Sequence, residues 1–221
     1  MKSSEYLKNI ISPFLILSLI FIFASCATSK LENLESLKQK ITDYHEFGQY
    51  DRDLKEALNT AREKLKDVEI TENSVVIFDV DETALSNYPF LKETGFGYIP
   101  KVWNEWIEEA DAPPITPVRD FYIELRAKGI HTIFVTSRPG SQYNATYNNL
   151  KSAGYYNFDT LITKDGFEEN LTSLEYKTNI REELVSRGYK ILGIVGDQWS
   201  DLDGPDHGIQ VKLPNYMYLI K

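Results

Sequence analysis

Hydrophobic residues recur along the chain in two rhythms, and the change from one to the other sets the expected architecture. Over residues 31–68 the apolar positions fall at Leu31, Leu34, Leu37, Ile41 and Tyr44, then at Leu54, Ala57, Leu58, Ala61, Leu65 and Val68. Steps of three and four place such residues on one face of a helix. Gly48 interrupts the pattern, so two helices are expected, the second capped by Asp51 or Asp53. Further on, residues 74–79, 131–136 and 191–196 are short, rich in β-branched side chains and followed at once by polar turn residues, which predicts buried strands; residues 160–162 make a weaker fourth. Helical patterns lie between them over residues 117–128, 141–153 and 174–187, ended by Gly129, Gly154 and Gly188. Strands alternating with helices predict right-handed crossovers and a parallel sheet covered on both faces, an α/β fold.

The N-terminus stands apart from this scheme. Lys2 and Lys8 precede a mostly apolar run over residues 10–24, which ends at Phe23-Ala24-Ser25-Cys26. The run holds about 15 apolar or small residues, short of the roughly 20 that span a bilayer as a helix. It therefore reads as a signal peptide over residues 1–25, with small residues placed before the only cysteine as in a lipobox. Cleavage there leaves a domain of residues 26–221 tethered through a lipid on Cys26. An uncleaved anchor and a soluble export signal with an incidental Cys26 are the alternatives. Each puts the domain outside the cytoplasm, on the periplasmic or cell-surface side.

Composition narrows the function. The 221 residues, 42% of them apolar, supply a core for one domain. The net charge is −9, and it becomes −10 when Lys2, Lys8 and Glu5 leave with the signal peptide. Such an acidic surface repels polyanions and has no basic stripe, so a nucleic-acid partner is excluded. A small phosphate ester needs only one local cation and stays eligible.

Each of the first three expected strands ends on residues with chemical potential: Asp79 and Asp81, Thr136, and Asp197. In open α/β sheets ligands bind beyond the carboxyl ends of the strands, so the three separated motifs converge on one crevice. In VVIFDVDETAL an apolar strand runs straight into two carboxylates, whose burial without compensation costs several kcal/mol. A plain helix cap by Asp81 or Thr83 is the competing explanation. GDQWSDLDG places Asp201 four residues after Asp197, with Asp203 expected in solvent. If these aspartates cluster, each pair about 4 Å apart repels by roughly 4 kcal/mol at an effective dielectric of 20, which calls for a cation. The ligands are all oxygens, with no histidine in any motif, and that selects Mg²⁺ over Zn²⁺. FVTSRPG offers Thr136, Ser137 and Arg138 ahead of a helix, an anion site or else a turn capped by Ser141. Lys177 sits near a helix start, where the dipole disfavours a cation; alone it reads as a solvated lysine.

The order of these motifs, DxDET, then a strand-end Thr with SR, a helix-borne Lys, and GDxxxD, resembles the haloacid dehalogenase superfamily of aspartate-nucleophile phosphotransferases. FDVDETALSN, WNEWIEEADAPPI, GDQWSDL, KLPNYMYLI and GQYDRDL are similar, more narrowly, to acid phosphatases of classes B and C and to plant vegetative storage proteins. The resemblance implies a doubly wound parallel sheet with N-terminal helices. It implies Asp79 as nucleophile, Asp81 as acid and base, and Thr136, Ser137 and Lys177 as phosphate contacts. Mg²⁺ would be held by Asp79, the Asp81 carbonyl and Asp197, with Asp201 in support. The 54 residues between Asp81 and Thr136 exceed one crossover helix, so a small, mainly helical cap is expected over about residues 84–116. Tyr88, Phe96, Tyr98, Trp103 and Trp106 are candidates to stack on an aromatic leaving group, or else form the cap's own core. The expected function is an extracytoplasmic, Mg²⁺-dependent acid phosphatase acting on small phosphomonoesters, 5′-nucleotides among them. A non-catalytic storage or binding lipoprotein, and a phosphotransferase, are the alternatives.

Overall fold

Strand β1 (Ser74–Phe78) runs through the centre of the computed structural model, which describes residues 31–220. The expected signal peptide and Cys26 lie outside the described residues. Every residue of β1 is buried, and its side chains alternate between two cores. Val76 and Phe78 enter one, Val75 and Ile77 the other. This is the period-two geometry of a strand covered on both faces.

Four more strands flank it, all parallel: β2 (His131–Pro139), β3 (Thr160–Lys164), β4 (Lys190–Gly196) and β5 (Ile209–Lys212), in the order β3-β2-β1-β4-β5. Helices α1 (Leu34–Glu46) and α2 (Gln49–Leu65) precede β1, and α3 (Tyr88–Glu93) and α4 (Pro100–Glu109) follow it. Then come α5 (Thr116–Ala127), α6 (Tyr143–Ser152), α7 (Ser173–Ser186) and the single turn α8 (Trp199–Leu202). Leu54 and Leu58 of α2, Phe121 and Leu125 of α5, and Leu150 of α6 fill the first core. Tyr176, Ile180 and Leu184 of α7 with Leu202 of α8 fill the second. Each such leucine contributes about 1.5–3 kcal/mol by leaving water. The strand order turns back between β1 and β4, which makes the switch point where ligands enter such sheets.

The expected fold class is observed, and the four expected strands are present within a few residues. Strand β5 is the addition. Only four residues long, at the sheet edge and behind the polar loop DLDGPDHG, it offers a weak alternation of apolar residues. One helix start differs from expectation. Gly48, with φ of 81°, turns the chain so sharply that α2 begins at Gln49 with no side-chain cap, and Asp51 and Asp53 fall inside the helix. Asp53 instead accepts the Tyr44 hydroxyl at 2.7 Å and ties α2 to α1. Ser141 likewise caps nothing, because a short 3₁₀ turn, Gly140–Gln142, precedes α6.

His45, on the last turn of α1, lies between the rings of Tyr88, at 4.2 Å and 9° between planes, and Tyr50, at 4.3 Å. Its Nε2 has no hydrogen-bond partner among the described residues. Burial pushes this imidazole down to about 4, against the pull of Asp51 and Glu46. The unfolded chain therefore binds a proton near pH 6.5 that the folded chain refuses until about 4, so stability falls as pH drops through that window. Discounted for partial exposure, the loss is expected at about 1–2 kcal/mol. Urea unfolding of His45→Phe at pH 7 and pH 5 checks it: the variant is expected to lose less stability between the two than the parent.

Candidate active site

The end of β1 coils on itself. Asp79 continues the ladder by donating its amide to the Val195 carbonyl at 2.9 Å, and the amides of Ala84 and Leu85 both reach back to the Val80 carbonyl. Within this knot Glu82 takes a φ of 50°, the left-handed region that costs a residue with a Cβ roughly 1–2 kcal/mol. The coil presents Asp79 and Asp81 in different directions.

Asp79 points to the far ends of β4 and α8. Lys177, in the second turn of α7, donates Nζ to Asp79 Oδ1 and to Asp201 Oδ1, the latter at 2.6 Å. Asp201 Oδ2 accepts the Gln198 amide at 2.9 Å. Asp197 Oδ2 accepts Gln198 Nε2 at 2.6 Å and Asn215 Nδ2 at 2.7 Å, and Thr83 reaches Asp197 Oδ1 at 3.4 Å instead of capping a helix. Gly196 is required beside them: a Cβ there would stand 2.6 Å from Asp201 Oδ2. One oxygen each from Asp79, Asp197 and Asp201 lies within 4.8 Å of the others, and all three residues are buried.

Electrostatics separates the groups. Burial drives the Asp79 carboxyl well above its ordinary range; Lys177 opposes this, and Asp201, Asp197 and Asp81 add to it. Asp197 is pushed up to about 7 by burial and by Asp201. Lys177 is buried too, yet Asp201 and Asp79 more than offset that cost and raise it, so it stays an ammonium. Three buried carboxylates of hard oxygen chemistry, with Lys177 the one cation among them within the described residues, fit a divalent cation such as Mg²⁺.

Asp81 is held apart. Arg138 grips it from one side, NH2 to Oδ1 at 2.6 Å and Nε to Oδ2 at 3.1 Å, and Asn87 Nδ2 donates to Oδ1 at 2.8 Å. Burial works against its charge, but Arg138 and Asn87 prevail and lower its pKa. Arg138, grouped with Thr136 and Ser137 on sequence grounds as an anion site, is therefore spoken for by Asp81. Thr136 is buried near the end of β2 and accepts the Arg138 amide at 3.2 Å. The Ser137 hydroxyl lies 2.8 Å from that of Ser173, at the start of α7.

A crevice of about 490 Å³ opens over Asp81, Ser137 and Arg138. Phe96, Tyr98 and Trp103 line it from the α3–α4 region, and residues 217–220 close the other side. Two of the aromatic candidates are elsewhere. Tyr88 stacks on His45 and bonds Glu46, facing a separate hollow beside α2. Trp106 stacks on Phe90 and donates Nε1 to Asn87 Oδ1 at 2.8 Å. Both are drawn inward by partners that sequence spacing does not reveal. Asn87, Gln198 and Asn215 also contact the site's carboxylates, and Glu82 and Tyr218 stand behind Asn87. The sequence marked them only as parts of DVDETALSN, GDQWSDL and KLPNYMYLI.

The family model of the HAD superfamily, subfamily IIIB (acid phosphatase), matches residues 24–221. The chain is 34% identical over 192 residues to the stem 31 kDa glycoprotein of Glycine max, covering 85% of this chain and 76% of that one. It is 30% identical over 203 residues to acid phosphatase 1 of Solanum lycopersicum, covering 87% and 80%. The class C acid phosphatase of Bacillus anthracis, in a crystal structure with tungstate bound, superimposes with a TM-score of 0.69 at 25% identity, over 86% of this chain and 87% of that one. Together with a carboxylate cluster at the switch point of a doubly wound sheet, these matches establish that the chain belongs to subfamily IIIB of the haloacid dehalogenase superfamily and is a phosphomonoester hydrolase.

Proposed function

We propose that the protein is an exported, Mg²⁺-dependent acid phosphatase that hydrolyses small phosphomonoesters through a phosphoryl group carried on Asp79. The observation that carries this reading is the pairing of a buried Asp79, held by Lys177 beside Asp197 and Asp201, with an Asp81 of opposite character two residues on. Asp79, Asp197 and Asp201, with the Asp81 carbonyl by family resemblance, are the groups to hold Mg²⁺, which would neutralise phosphoryl and carboxylate charge.

A carboxylate oxygen of Asp79 forms a bond to phosphorus while the bond from phosphorus to the leaving oxygen breaks, and the Asp81 proton goes to that oxygen. Water then attacks phosphorus, its proton returns to Asp81, and the bond from Asp79 breaks to release phosphate. Lys177 and Thr136 contact the phosphoryl oxygens as charge develops on them. Arg138 favours the anionic Asp81, the form that accepts a proton in the second half. For the first half Asp81 takes up its proton from the medium, which an acidic pH supplies. That a class C relative has been crystallised with tungstate, an oxyanion, bound supports an oxyanion site in this fold.

The crevice supports an aromatic leaving group. Tyr98 is 68% exposed and Trp103 lies 6.0 Å from it, so a planar group such as a nucleobase has a surface to stack on. Export and a lipid tether on Cys26 rest on the sequence of the first 26 residues.

Asp79→Asn is expected to abolish turnover of p-nitrophenyl phosphate, and exhaustive chelation to remove it until Mg²⁺ is restored; full activity in either case would refute the mechanism. Trp103→Ala is expected to raise KM for 5′-nucleotides roughly five- to tenfold, against little change for glycerol 2-phosphate. Equal effects in steady-state kinetics would end the stacking role. Radiolabelled palmitate is expected in the full-length chain and not in Cys26→Ser, and label retained by the variant would exclude the tether.

A further inference from the structure

Behind Asp81 runs a chain of polar side chains that the mechanism has not used. Tyr218 donates its hydroxyl to Glu82 Oε2. The same oxygen accepts Asn87 Nδ2 at 3.2 Å, while Glu82 Oε1 accepts the Asn87 amide at 2.6 Å. Asn87 Nδ2 spends its other hydrogen on Asp81 Oδ1. Its orientation is fixed, because the indole of Trp106 only donates and so requires Oδ1 on its own side. The two amide hydrogens must then face the two carboxylates.

This arrangement is costly. Glu82 is 1% exposed and Asn87 fully buried, and Glu82 also carries the left-handed backbone. An apolar side chain in such a place is often as stable as, or more stable than, a buried charge. What the network achieves is a third, rigid donor on Asp81, at the same Oδ1 that accepts Arg138 NH2. Its outer end belongs to the segment over residues 214–220, which is pinned twice more: Asn215 on Asp197, and the Ile220 amide on Gln198 Oε1 at 3.1 Å.

We infer that Glu82, Asn87 and Tyr218 are positioning residues that hold the Asp81 carboxylate at the angle from which it exchanges a proton with the leaving oxygen. The inference rests on the acid and base role proposed for Asp81. Tyr218 steadies Glu82, Glu82 steadies Asn87, and only Asn87 touches the carboxylate. In Glu82→Gln an NH2 group replaces one of the two oxygens and in either place faces an Asn87 donor, the backbone amide or the side-chain NH2, and the latter cannot turn away without abandoning Trp106. In Tyr218→Phe a single oxygen is lost.

A poor leaving group depends on protonation more than a good one does, so the readout is the ratio of kcat/KM for p-nitrophenyl phosphate to that for glycerol 2-phosphate. This quantity reports the first half of the reaction. Asp81→Asn sets the reference by raising the ratio. Glu82→Gln and Tyr218→Phe are each expected to raise it at least about fivefold, a fraction of the 10²–10⁴ that a positioned acid supplies. If Asp81→Asn raises the ratio and the other two lower both rates equally or change neither, the positioning role is overturned while the Asp81 role stands. If Asp81→Asn leaves the ratio unchanged, the acid role fails and the inference falls with it. Should Glu82→Gln not fold, Tyr218→Phe decides the matter.

Discussion

Mutual repulsion among the carboxylates at the ends of β1 and β4 is the constraint that the rest of the structure answers to. Asp79, Asp81, Glu82, Asp197 and Asp201 meet there, and Lys177 and Arg138 are the cations in contact with them. At about 4 Å and an effective dielectric near 20, each like-charged pair costs roughly 4 kcal/mol. Helix α7 answers with two residues one turn apart. Lys177 takes the Asp201 side chain, and Arg181, fully buried, takes the backbone carbonyls of Asp201, Asp203 and Pro205. One helix face thus fixes both the charge and the path of the loop that carries it. The absence of a side chain at Gly196 leaves the space into which that loop turns Asp201.

The fold was legible where burial was two-sided. Residues 74–79, 131–136 and 191–196 are continuous apolar runs because both faces of the sheet are covered, and no polar alternation blurs them. Legibility failed at the edge and at helix starts. Strand β5 is half-buried and short, so its pattern hardly differs from that of a loop. Asp51 and Asp53 looked like caps by residue type, but Gly48 set the start of α2 by backbone conformation, which outranks side-chain preference there.

For the site, residue type and strand position located Asp79, Asp81, Thr136 and Asp197 at one end of the sheet. Partnerships were hidden. Lys177 was anomalous on its helix, since a cation near the N-terminus is disfavoured, and the structure supplies the reason in two buried carboxylates. Arg138 and the aromatic residues were ambiguous because their meaning depends on contacts across dozens of residues. Arg138 pairs with Asp81 over a separation of 57 positions, and Tyr88 and Trp106 turn inward to His45 and Asn87 while Trp103 stays in the crevice. No periodicity distinguishes these outcomes. The segment over residues 214–220 was recognisable as a family likeness and opaque as physics, because its contacts with Glu82, Asp197 and Gln198 are all long-range.

Two residues apart on one coil, Asp79 and Asp81 are driven in opposite directions, and the difference lies in what kind of countercharge each has. Arg138 and Asn87 belong to the chain and favour the anionic form of Asp81 whether or not a cation is present. Asp79 has Lys177, but it shares that ammonium with Asp201 and feels Asp197 besides, so its compensation is incomplete from the protein alone. A divalent cation held by Asp79, Asp197 and Asp201 would complete it and favour the ionised carboxylate, which the ammonium orients by one oxygen. Divergent environments for neighbouring carboxyls are how one fold separates a nucleophile from a proton carrier. Here the separation is made by chain geometry: the coil after β1 presents one aspartate to the cluster beside β4 and the other to Arg138 at the end of β2.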